Sequence, residues 1–394
     1  MIINSLKNTW EQMKTHPITA EEKKLAIGCD GMSKEKFEQT LDWQLNEIAR
    51  KIELLNKGND KGFRFAPLLY YERNKSSGGL RKIYLPRIKD QLVYKWMHNE
   101  LIEKALSEGV NLTTKSPHEV VLQFRSALKQ YDKPVIVRTD IKSFFDSVPR
   151  ERVIDLACQF NINSSVRNLM RIWSKKIIGR PMWVAGKSKD CLVSGLPQGL
   201  SISAALAELW GNEIKRRLQK EIVIFRYVDD LAFICGNEEE ALNKLELLNN
   251  CVSVLGLELS VQKTEVKPLH KGVDWLGLRH FKKEVHANEE RLERWMKRFQ
   301  KMRTEVMENY LKTPEKSKQE VIEDFNRLVK DELSGKTSAR PQWYSIVKDK
   351  GQWKTMDVQL HAQYKMLYLQ LDMPLHQPMK WPSIHKTMTG RLQA

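Results

Sequence analysis

Several features that mark common protein classes are absent from this sequence of 394 residues. No stretch approaches the ~18 consecutive apolar residues of a membrane-spanning helix. The first residues lack the apolar core and the small-residue cleavage site of a signal peptide. The five cysteines include no CxxC pair, which argues against a disulfide framework and against a zinc ribbon. We therefore expect a cytoplasmic protein that has no contact with a membrane.

Positive charge is what the sequence has in excess. Its 66 Lys and Arg residues against 49 Asp and Glu residues give a formal net charge of +17. Because these basic residues are not gathered into one amphipathic tail, they favour nucleic acid over a membrane surface as the polyanionic partner. A hydrophobic content of 41% with 11 Trp residues excludes a disordered chain.

The apolar pattern along the chain predicts helices mixed with strands, which is typical of an α+β fold. Apolar residues at three- and four-residue steps predict one amphipathic helix over Ser33–Asn56, with its first serine as the N-cap. Val135–Thr139 is predicted as a buried strand, and Ser201–Leu218 as a helix poor in large side chains. Two strands are predicted within Ile222–Ile234, and mostly basic helices after Glu284.

The most informative string is Phe225-Arg-Tyr-Val-Asp-Asp-Leu-Ala-Phe-Ile234. An apolar strand, two adjacent acids and a second apolar strand predict a tight hairpin with carboxylates at its tip. Burying two neighbouring acids is unfavourable unless a cation compensates their charge. Ligands that are all oxygen favour magnesium as that cation. Taken alone, the string is explained equally well by a solvated Asp-Asp turn.

A second string, Val135-Ile-Val-Arg-Thr-Asp140, favours the metal site. It is another apolar strand that delivers an acid at its carboxyl end. Two strand-borne acid sites can converge on one face of a sheet and hold two metal ions about 4 Å apart. Such a pair of ions stabilises the attacking and the leaving oxygens of an in-line phosphoryl displacement. The two strings together therefore indicate nucleotidyl transfer.

These motifs resemble those of reverse transcriptases of the bacterial retroelement type, over about residues 61–285. Asp140 falls in the first catalytic motif, and the tetrad Tyr227-Val-Asp-Asp230 falls in the third. Between them, Gly195-Leu-Pro-Gln-Gly-Leu-Ser-Ile-Ser203 resembles the loop and helix that pack against the incoming nucleotide. Leu255–Thr264 resembles the fourth motif, and the string that begins Trp275-Leu276-Gly277 resembles the primer-grip hairpin. The resemblance implies an α+β right-hand polymerase with fingers, palm and helical thumb.

The resemblance also implies roles for the acidic residues. Asp140 and Asp229 would ligate two Mg²⁺ ions, for which Mn²⁺ is a substitute, and Asp230 would complete the metal site. Asp146 matches a family acid that is a structural partner rather than a ligand. Lys263 is a candidate general acid for the pyrophosphate leaving group, and the alternative is a surface lysine that follows a strand.

A second set of residues would bind the nucleotide. Lys75 and Arg81 flank a Gly-Gly turn and resemble the fingers pair that neutralises the triphosphate, although a solvated basic hairpin is the alternative. Gln198 can form hydrogen bonds from a loop shaped by its proline and glycine neighbours. Phe145 stands five residues after Asp140, where the family places an aromatic ring in the volume that a 2′-hydroxyl would need. Because RNA-dependent RNA polymerases have an Asp at that position, the sequence favours dNTPs.

The resemblance divides the chain into four regions. They are an N-terminal helical extension (1–60), fingers (61–130), palm (131–283, with a fingers insertion at about 150–190), and a helical thumb with a C-terminal extension (284–394). The tryptophans of the last region are expected to pack in a core rather than to stack on bases; they are Trp295, Trp343, Trp353 and Trp381.

The subgroup is indicated by one string, Pro197–Leu209, which is similar to that of the abortive-infection and unknown-group bacterial reverse transcriptases. Many of these act in antiphage defence, and the shorter unknown-group members match this chain better. The resemblance implies an RNA template, a DNA primer and product, and a dedicated structured non-coding RNA. The oligomeric state is not readable from the sequence.

Three alternatives to a defence enzyme stay open at this point. One is a reverse transcriptase of a group II intron or other mobile element, which would need an endonuclease in trans. The second is a template-independent or protein-primed polymerase that uses the same site. The third is an inactive RNA-binding scaffold, which has no reason to retain all three acids, the aromatic gate and the basic fingers pair.

Overall fold

The computed structural model describes residues 2–14, 29–74, 79–182, 190–313, 315–334, 347, 350–374 and 382–384. The helices are α1 (Ile2–Lys14), α2 (Lys34–Gln39), α3 (Leu41–Asn56), α4 (Ile88–Ser107), α5 (Pro117–Ala127), α6 (Phe144–Ser147), α7 (Arg150–Ala157), α8 (Ser164–Lys175), α9 (Ser201–Leu218), α10 (Glu238–Val254), α11 (Glu289–Lys312), α12 (Lys318–Ser334) and α13 (Lys350–Gln370). The strands are β1 (Leu68–Asn74), β2 (Leu80–Leu85), β3 (Val135–Asp140), β4 (Ile178–Pro181), β5 (Cys191–Leu192), β6 (Phe225–Tyr227), β7 (Asp230–Cys235), β8 (Glu265–Pro268), β9 (Val273–Trp275), β10 (Leu278–His280) and β11 (Val285–Ala287). This mixture confirms the predicted α+β class.

The amphipathic segment after Ser33 folds as two helices, so the single predicted helix is wrong. Ser33 is the N-cap of α2, and its hydroxyl accepts a hydrogen bond from the Lys36 amide. The helix stops at Thr40, where φ is −119° and ψ is 24°, and the Thr40 hydroxyl donates to backbone carbonyls of α2. Side-chain bonds of this kind compete with the helical ladder, and apolar spacing does not reveal them.

Helix α9 has the bounds that the sequence predicts. Its buried residues lie on most sides of the helix, which is typical of a helix inside a core. Small residues such as Ser203, Ala205 and Ala207 let neighbouring elements approach its backbone, and α9 packs against α4 and α7. The helix therefore lies inside the core of its unit, against α4 and α7.

The described strands form three sheets. The first has the order β2-β1-β4-β5, with β1 antiparallel to β2 and parallel to β4. The second has the order β6-β7-β3-β8, with β3 antiparallel to β8 in a register that pairs Val137 with Val266. The third is the antiparallel sheet β11-β10-β9. The second sheet is the one that contains both acidic strings.

The chain divides into two compact units. The first unit comprises Met1–Lys115, Thr139–Leu231 and Lys244–Thr264, and the second comprises Ser116–Arg138, Ala232–Asn243 and Glu265–Ala394. In the first, α1 packs on α3 and α4, and α8 packs on α3 and α7. Among the described helices of either unit, none combines the length and the hydropathy that crossing a bilayer requires.

The second unit has its own core between α11, α12 and α13. The Trp295 and Trp353 rings stack there with their centroids 5.8 Å apart, and both side chains are buried. These two tryptophans confirm the expectation of core packing, while Trp343 and Trp381 lie outside the described residues.

Candidate active site

Two strands that are neighbours in the second sheet deliver the three acidic residues. Strand β3 ends at Asp140, and β7 begins at Asp230 directly after the turn formed by Val228 and Asp229. The sheet order places β7 beside β3, and the Ile141 amide donates a hydrogen bond of 3.1 Å to the Asp229 carbonyl. This bond ties the turn of the hairpin to the end of β3.

The side chains of Asp140, Asp229 and Asp230 form one group. Each offers a carboxylate oxygen, and these oxygens all lie within 4.8 Å of one another. Asp140 is 7% exposed, and the other two residues are half-buried. Three convergent carboxylates are the donor set that a hard divalent cation such as Mg²⁺ requires. The residues present therefore fit the metal site that the sequence predicts.

The surroundings of Asp229 raise its pKa. Burial raises the pKa of the Asp229 carboxyl, and the negative charge of Asp140 raises it further. The positive charges of Lys263 and Arg81 act in the opposite direction on the pKa of Asp229 and only partly offset this effect. A cation placed among the three carboxylates would relieve the same repulsion.

Lys263 lies next to the acidic group. Its Nζ donates a hydrogen bond of 2.9 Å to Oδ2 of Asp140, at the end of a short 3₁₀ turn, Val261–Lys263. Burial lowers the pKa of Lys263, but the bond to Asp140 and the charges of the three acids outweigh it, so that the pKa is raised overall. The ammonium group therefore keeps its proton at neutral pH.

Phe145 and Gln198 are brought together through their backbones. The Leu196 amide donates to the Phe145 carbonyl at 2.7 Å, and the Tyr84 amide of β2 donates to the Gln198 carbonyl at 2.8 Å. The loop that carries Gln198 thus lies between α6 and β2. Both predicted nucleotide-binding side chains are half-buried, so each retains some exposed surface.

Two glycines permit this close approach. A Cβ at position 195 would lie 2.1 Å from the Phe145 carbonyl oxygen, and one at position 199 would lie 2.6 Å from the Tyr84 carbonyl oxygen. Both glycines also have positive φ, 59° and 109°, a region that other residues rarely adopt. The Gly-x-x-x-Gly spacing of this loop is therefore required by its contacts on both sides.

The predicted fingers pair is described only in part. Arg81 is an exposed residue of β2, and its charge acts on the Asp229 carboxyl, so it lies within electrostatic range of the acidic group. Lys75 lies outside the described residues. The β1–β2 pairing, with Arg73 opposite Arg81, agrees with the predicted basic hairpin.

Comparison with known families identifies the chain. A family model described as "Reverse transcriptase (RNA-dependent DNA polymerase)" matches residues 73–280, which is more than half of the chain. The chain belongs to the reverse transcriptase family. The matched range contains the acidic group, Lys263 and every other residue predicted here for the site.

Other similarities are more distant. No curated protein sequence matches the chain. Among solved structures, it is similar to the apo telomerase from Candida tropicalis truncated from its C-terminal domain, with a TM-score of 0.45 and 15% sequence identity. That similarity covers 57% of this chain and 55% of the telomerase chain, so the reverse transcriptase chain spans about half the length of that protein.

The predicted primer-grip residues of this reverse transcriptase belong to the second unit. Leu276 and Gly277 form the β9–β10 turn with positive φ of 49° and 77°. The Arg291 side chain donates to both of their carbonyls, at 2.8 and 3.0 Å. Trp275 is only 3% exposed, and its ring packs against Phe124 with centroids 5.0 Å apart. Trp275 thus supports the turn from its buried side.

Sequence reasoning missed several residues that support the site of this reverse transcriptase. Arg226 and Glu208 form a buried ion pair behind the Val228-Asp229 turn. Arg150 donates to the carbonyls of Val193 and Gly195, and so fastens the loop that carries Gln198 to α7. The available signal was a charged residue inside an otherwise apolar segment, which describes both Arg226 in β6 and Glu208 in α9.

Proposed function

We propose that this chain is an RNA-directed DNA polymerase that adds dNTPs by two-metal nucleotidyl transfer. The observation that carries the proposal is the group of Asp140, Asp229 and Asp230, whose carboxylate oxygens lie within 4.8 Å of one another inside the family match. Two Mg²⁺ ions, or Mn²⁺ as a substitute, would activate the primer 3′-hydroxyl and stabilise the pyrophosphate leaving group when bound there.

Each acidic residue has a distinct part in this proposal. Asp140 and Asp229 hold the metal ions, and Asp230 completes the set of ligands at the start of β7. Lys263 provides a positive charge 2.9 Å from Asp140 and carries a proton at Nζ that it can transfer to the departing pyrophosphate. Its raised pKa supports a proton donor rather than a base.

The nucleotide lies, in this proposal, between the loop of Gln198 and the residues Phe145 and Arg81. Phe145 excludes a 2′-hydroxyl by occupying its volume, while Gln198 offers an amide for hydrogen bonds. Arg81, together with Lys75, neutralises the triphosphate. The support for this arrangement is the pair of backbone bonds that joins α6, the loop and β2.

The finer domain assignment is also a proposal. We assign fingers to 61–130 with an insertion at about 150–190, palm to 131–283, and thumb with a C-terminal extension to 284–394, after an N-terminal extension. Leu276 and Gly277 would present the primer grip, and the buried Trp275 would hold their turn in place. This assignment is supported by the order of the motifs within residues 73–280.

The central experiment compares the purified protein with an Asp230→Ala variant. Both are incubated with Mg²⁺ and labelled dNTPs or NTPs, either with an RNA template and a DNA primer or with nothing added. We expect templated incorporation of dNTPs by the wild type and a loss of at least about 10³-fold in the variant, since one metal ligand is removed. Absence of incorporation by the wild type in every arm would contradict the proposed activity.

A finer biological role rests on the resemblance of Pro197–Leu209 to defence-associated enzymes. We propose that the polymerase acts in antiphage defence with a dedicated structured non-coding RNA as its template or scaffold. Sequencing of nucleic acid that co-purifies with the protein tests this, and one dominant RNA encoded beside the gene is the expected result. A heterogeneous RNA pool, or a gene inside an intron or repeat, would favour a mobile element instead. Products made without template would favour template-independent or protein-primed synthesis.

A further inference from the structure

The turn that carries Asp229 has a backbone conformation that its sequence disfavours. Val228 has a φ of 56°, in the left-handed region. A β-branched side chain is strained there because its Cβ substituents crowd the backbone, and glycine or asparagine is the usual occupant. Val228 immediately precedes two of the three acids, so whatever holds this turn also sets the position of their carboxylates.

Arg226 makes a direct contact with this turn. Its Nη1 donates a hydrogen bond of 2.9 Å to the Val228 carbonyl, two residues further along the chain. The Arg226 side chain is 4% exposed, so this bond does not compete with bulk water. On the other side of the turn, the Ile141 amide holds the Asp229 carbonyl at 3.1 Å. The turn is therefore fixed from two directions.

The guanidinium of Arg226 is itself anchored on α9. Its Nη2 donates to Oε2 of Glu208 at 2.5 Å and to Oδ1 of Asn212 at 3.3 Å. The second carboxylate oxygen of Glu208 accepts from the Thr114 hydroxyl at 3.1 Å. The Asn212 amide nitrogen donates to the Asn111 carbonyl, which leaves its oxygen facing the arginine. Both acceptors are thus oriented by partners of their own.

Helix α9 leaves space for this guanidinium at one position. A Cβ on residue 211 would lie 2.4 Å from Cζ of Arg226, so any other residue there would displace the guanidinium. Glycine in the middle of a helix is otherwise unfavourable. Glycine at position 211 is therefore explained by packing, because it leaves room for the Arg226 side chain to reach the turn.

We propose that Arg226 is a positioning residue that holds Val228 in its left-handed conformation and thereby fixes the carboxylates of Asp229 and Asp230 for metal binding. Glu208, Asn212 and Gly211 hold Arg226 in place. The inference rests on the proposed function, because it assigns to Arg226 an effect on the proposed metal site.

The test compares Arg226→Lys with Arg217→Lys, a matched control. Arg217 lies on the same helix, α9, where its Nε donates a hydrogen bond of 2.8 Å to Oε1 of Glu213, and among the described residues it has no hydrogen bond to the turn. Lysine keeps the charge and lacks the planar fork that reaches Glu208 and the Val228 carbonyl together. For the wild type and each variant, three quantities are measured. They are the hydrogen exchange of the peptide over residues 225–231, the affinity for Mn²⁺ by electron paramagnetic resonance without nucleotide, and the midpoint of thermal unfolding.

For Arg226→Lys we expect faster exchange in this peptide and an affinity for Mn²⁺ that falls about 10–100-fold, as is typical when a residue that orients metal ligands is replaced. The kcat for dNTP incorporation should fall, with KM for dNTP unchanged. Arg217→Lys should match the wild type. A folded Arg226→Lys protein with wild-type exchange and Mn²⁺ affinity would overturn the inference. If the wild type binds Mn²⁺ without incorporating dNTPs, the proposed function fails while the positioning role is still tested.

Gly211→Ala provides a second variant that retains Arg226. Its methyl group would collide with the guanidinium, so it should reproduce the faster exchange of the turn and the weaker Mn²⁺ binding. This result keeps the inference testable if Arg226→Lys fails to fold. Wild-type exchange and Mn²⁺ affinity in Gly211→Ala would contradict a fixed arginine at this position.

Discussion

Phe144 and Phe145 are adjacent aromatic residues with different surroundings. Phe144 is 2% exposed and belongs to the core, whereas Phe145 is half-buried, and their rings meet edge to face with centroids 6.0 Å apart. The Phe145 carbonyl accepts a hydrogen bond from the Leu196 amide, so its backbone cannot move independently of the loop that carries Gln198. The backbone that carries the Phe145 ring is thus fixed, which the proposed steric gate requires.

Replacing Phe145 should therefore change the choice of sugar. We expect Phe145→Ala to raise the incorporation of NTPs relative to dNTPs by about 10–100-fold, because size exclusion by one side chain gives discrimination of that order. The ratio of kcat/KM for dGTP and GTP measures the effect. Phe144→Leu is the matched control, and it should lower stability without changing this ratio. An unchanged ratio in Phe145→Ala would leave Phe145 as an ordinary packing residue.

The loop from Gly195 to Gly199 is the element that joins the two sides of the proposed nucleotide site. Its two glycines face backbone atoms of α6 and β2, and Arg150 holds its first carbonyl at 2.8 Å. On the loop's side, these contacts are made by backbone atoms and not by side chains. The loop can therefore keep its path while the Gln198 side chain remains available to a ligand.

Gly195→Ala and Gly109→Ala separate the effect of contact from that of backbone strain. Both glycines have positive φ, 59° and 80°, so alanine costs about 1–2 kcal/mol of conformational free energy at either position. A Cβ at 109 meets nothing within 4 Å, whereas one at 195 would lie 2.1 Å from the Phe145 carbonyl. We expect KM for dNTP to rise only in Gly195→Ala, in steady-state incorporation assays. Equal effects of the two substitutions would show that contact at position 195 is unimportant.

Most elements near the site were predictable from local patterns. The structure confirms the strand before Asp140, the hairpin around Asp229 and the helix Ser201–Leu218, each of which the sequence marks by a largely apolar segment. The sheet order β6-β7-β3-β8 also confirms that the two acidic strings are neighbours. Short-range signals suffice here because β3 and β7 each carry a continuous apolar run that only a core can accommodate.

The interactions that support these elements were not predictable in the same way. Arg226 bonds to Glu208, Asn212 and Val228, and Glu208 in turn accepts from Thr114, so these contacts join segments that are far apart in the sequence. The break at Thr40 depends on a hydroxyl bond to the preceding turn, which leaves the apolar spacing unchanged. Long-range polar contacts leave no periodic pattern in the sequence, so they can be identified only from the three-dimensional structure.

At the scale of the whole molecule, each compact unit contains a histidine that is held neutral. Burial lowers the pKa of His98 in the first unit to about 4, and it does the same for His280 in the second. The charge of Lys95 lowers the pKa of His98 further, and that of Arg125 acts likewise on His280, while Asp274 opposes it. Protonation of His98 therefore opposes folding of the first unit, and protonation of His280 opposes folding of the second.

His280 shows the physical cause most clearly. The residue is 0% exposed, and its Nε2 lies 3.2 Å from the Trp275 carbonyl, which can only accept a hydrogen bond. Nε2 therefore carries the hydrogen in the neutral ring. Its Nδ1 is buried and has no hydrogen-bond partner among the described residues, so a proton added there would place an unpaired charge in the core.

We expect the free energy of unfolding to fall as the pH drops from about 6.5 towards 4. In this range the unfolded chain binds a proton on the imidazole that the folded chain excludes, and the contribution of His280 reaches about 2 kcal/mol at pH 5. Urea denaturation followed by tryptophan fluorescence at pH 7.5 and pH 5 measures the difference. His280→Gln should reduce the difference, because glutamine can still donate to the Trp275 carbonyl and does not titrate. The exposed His270→Gln is the control, and an equal pH dependence in both variants would show that His280 is not the group responsible.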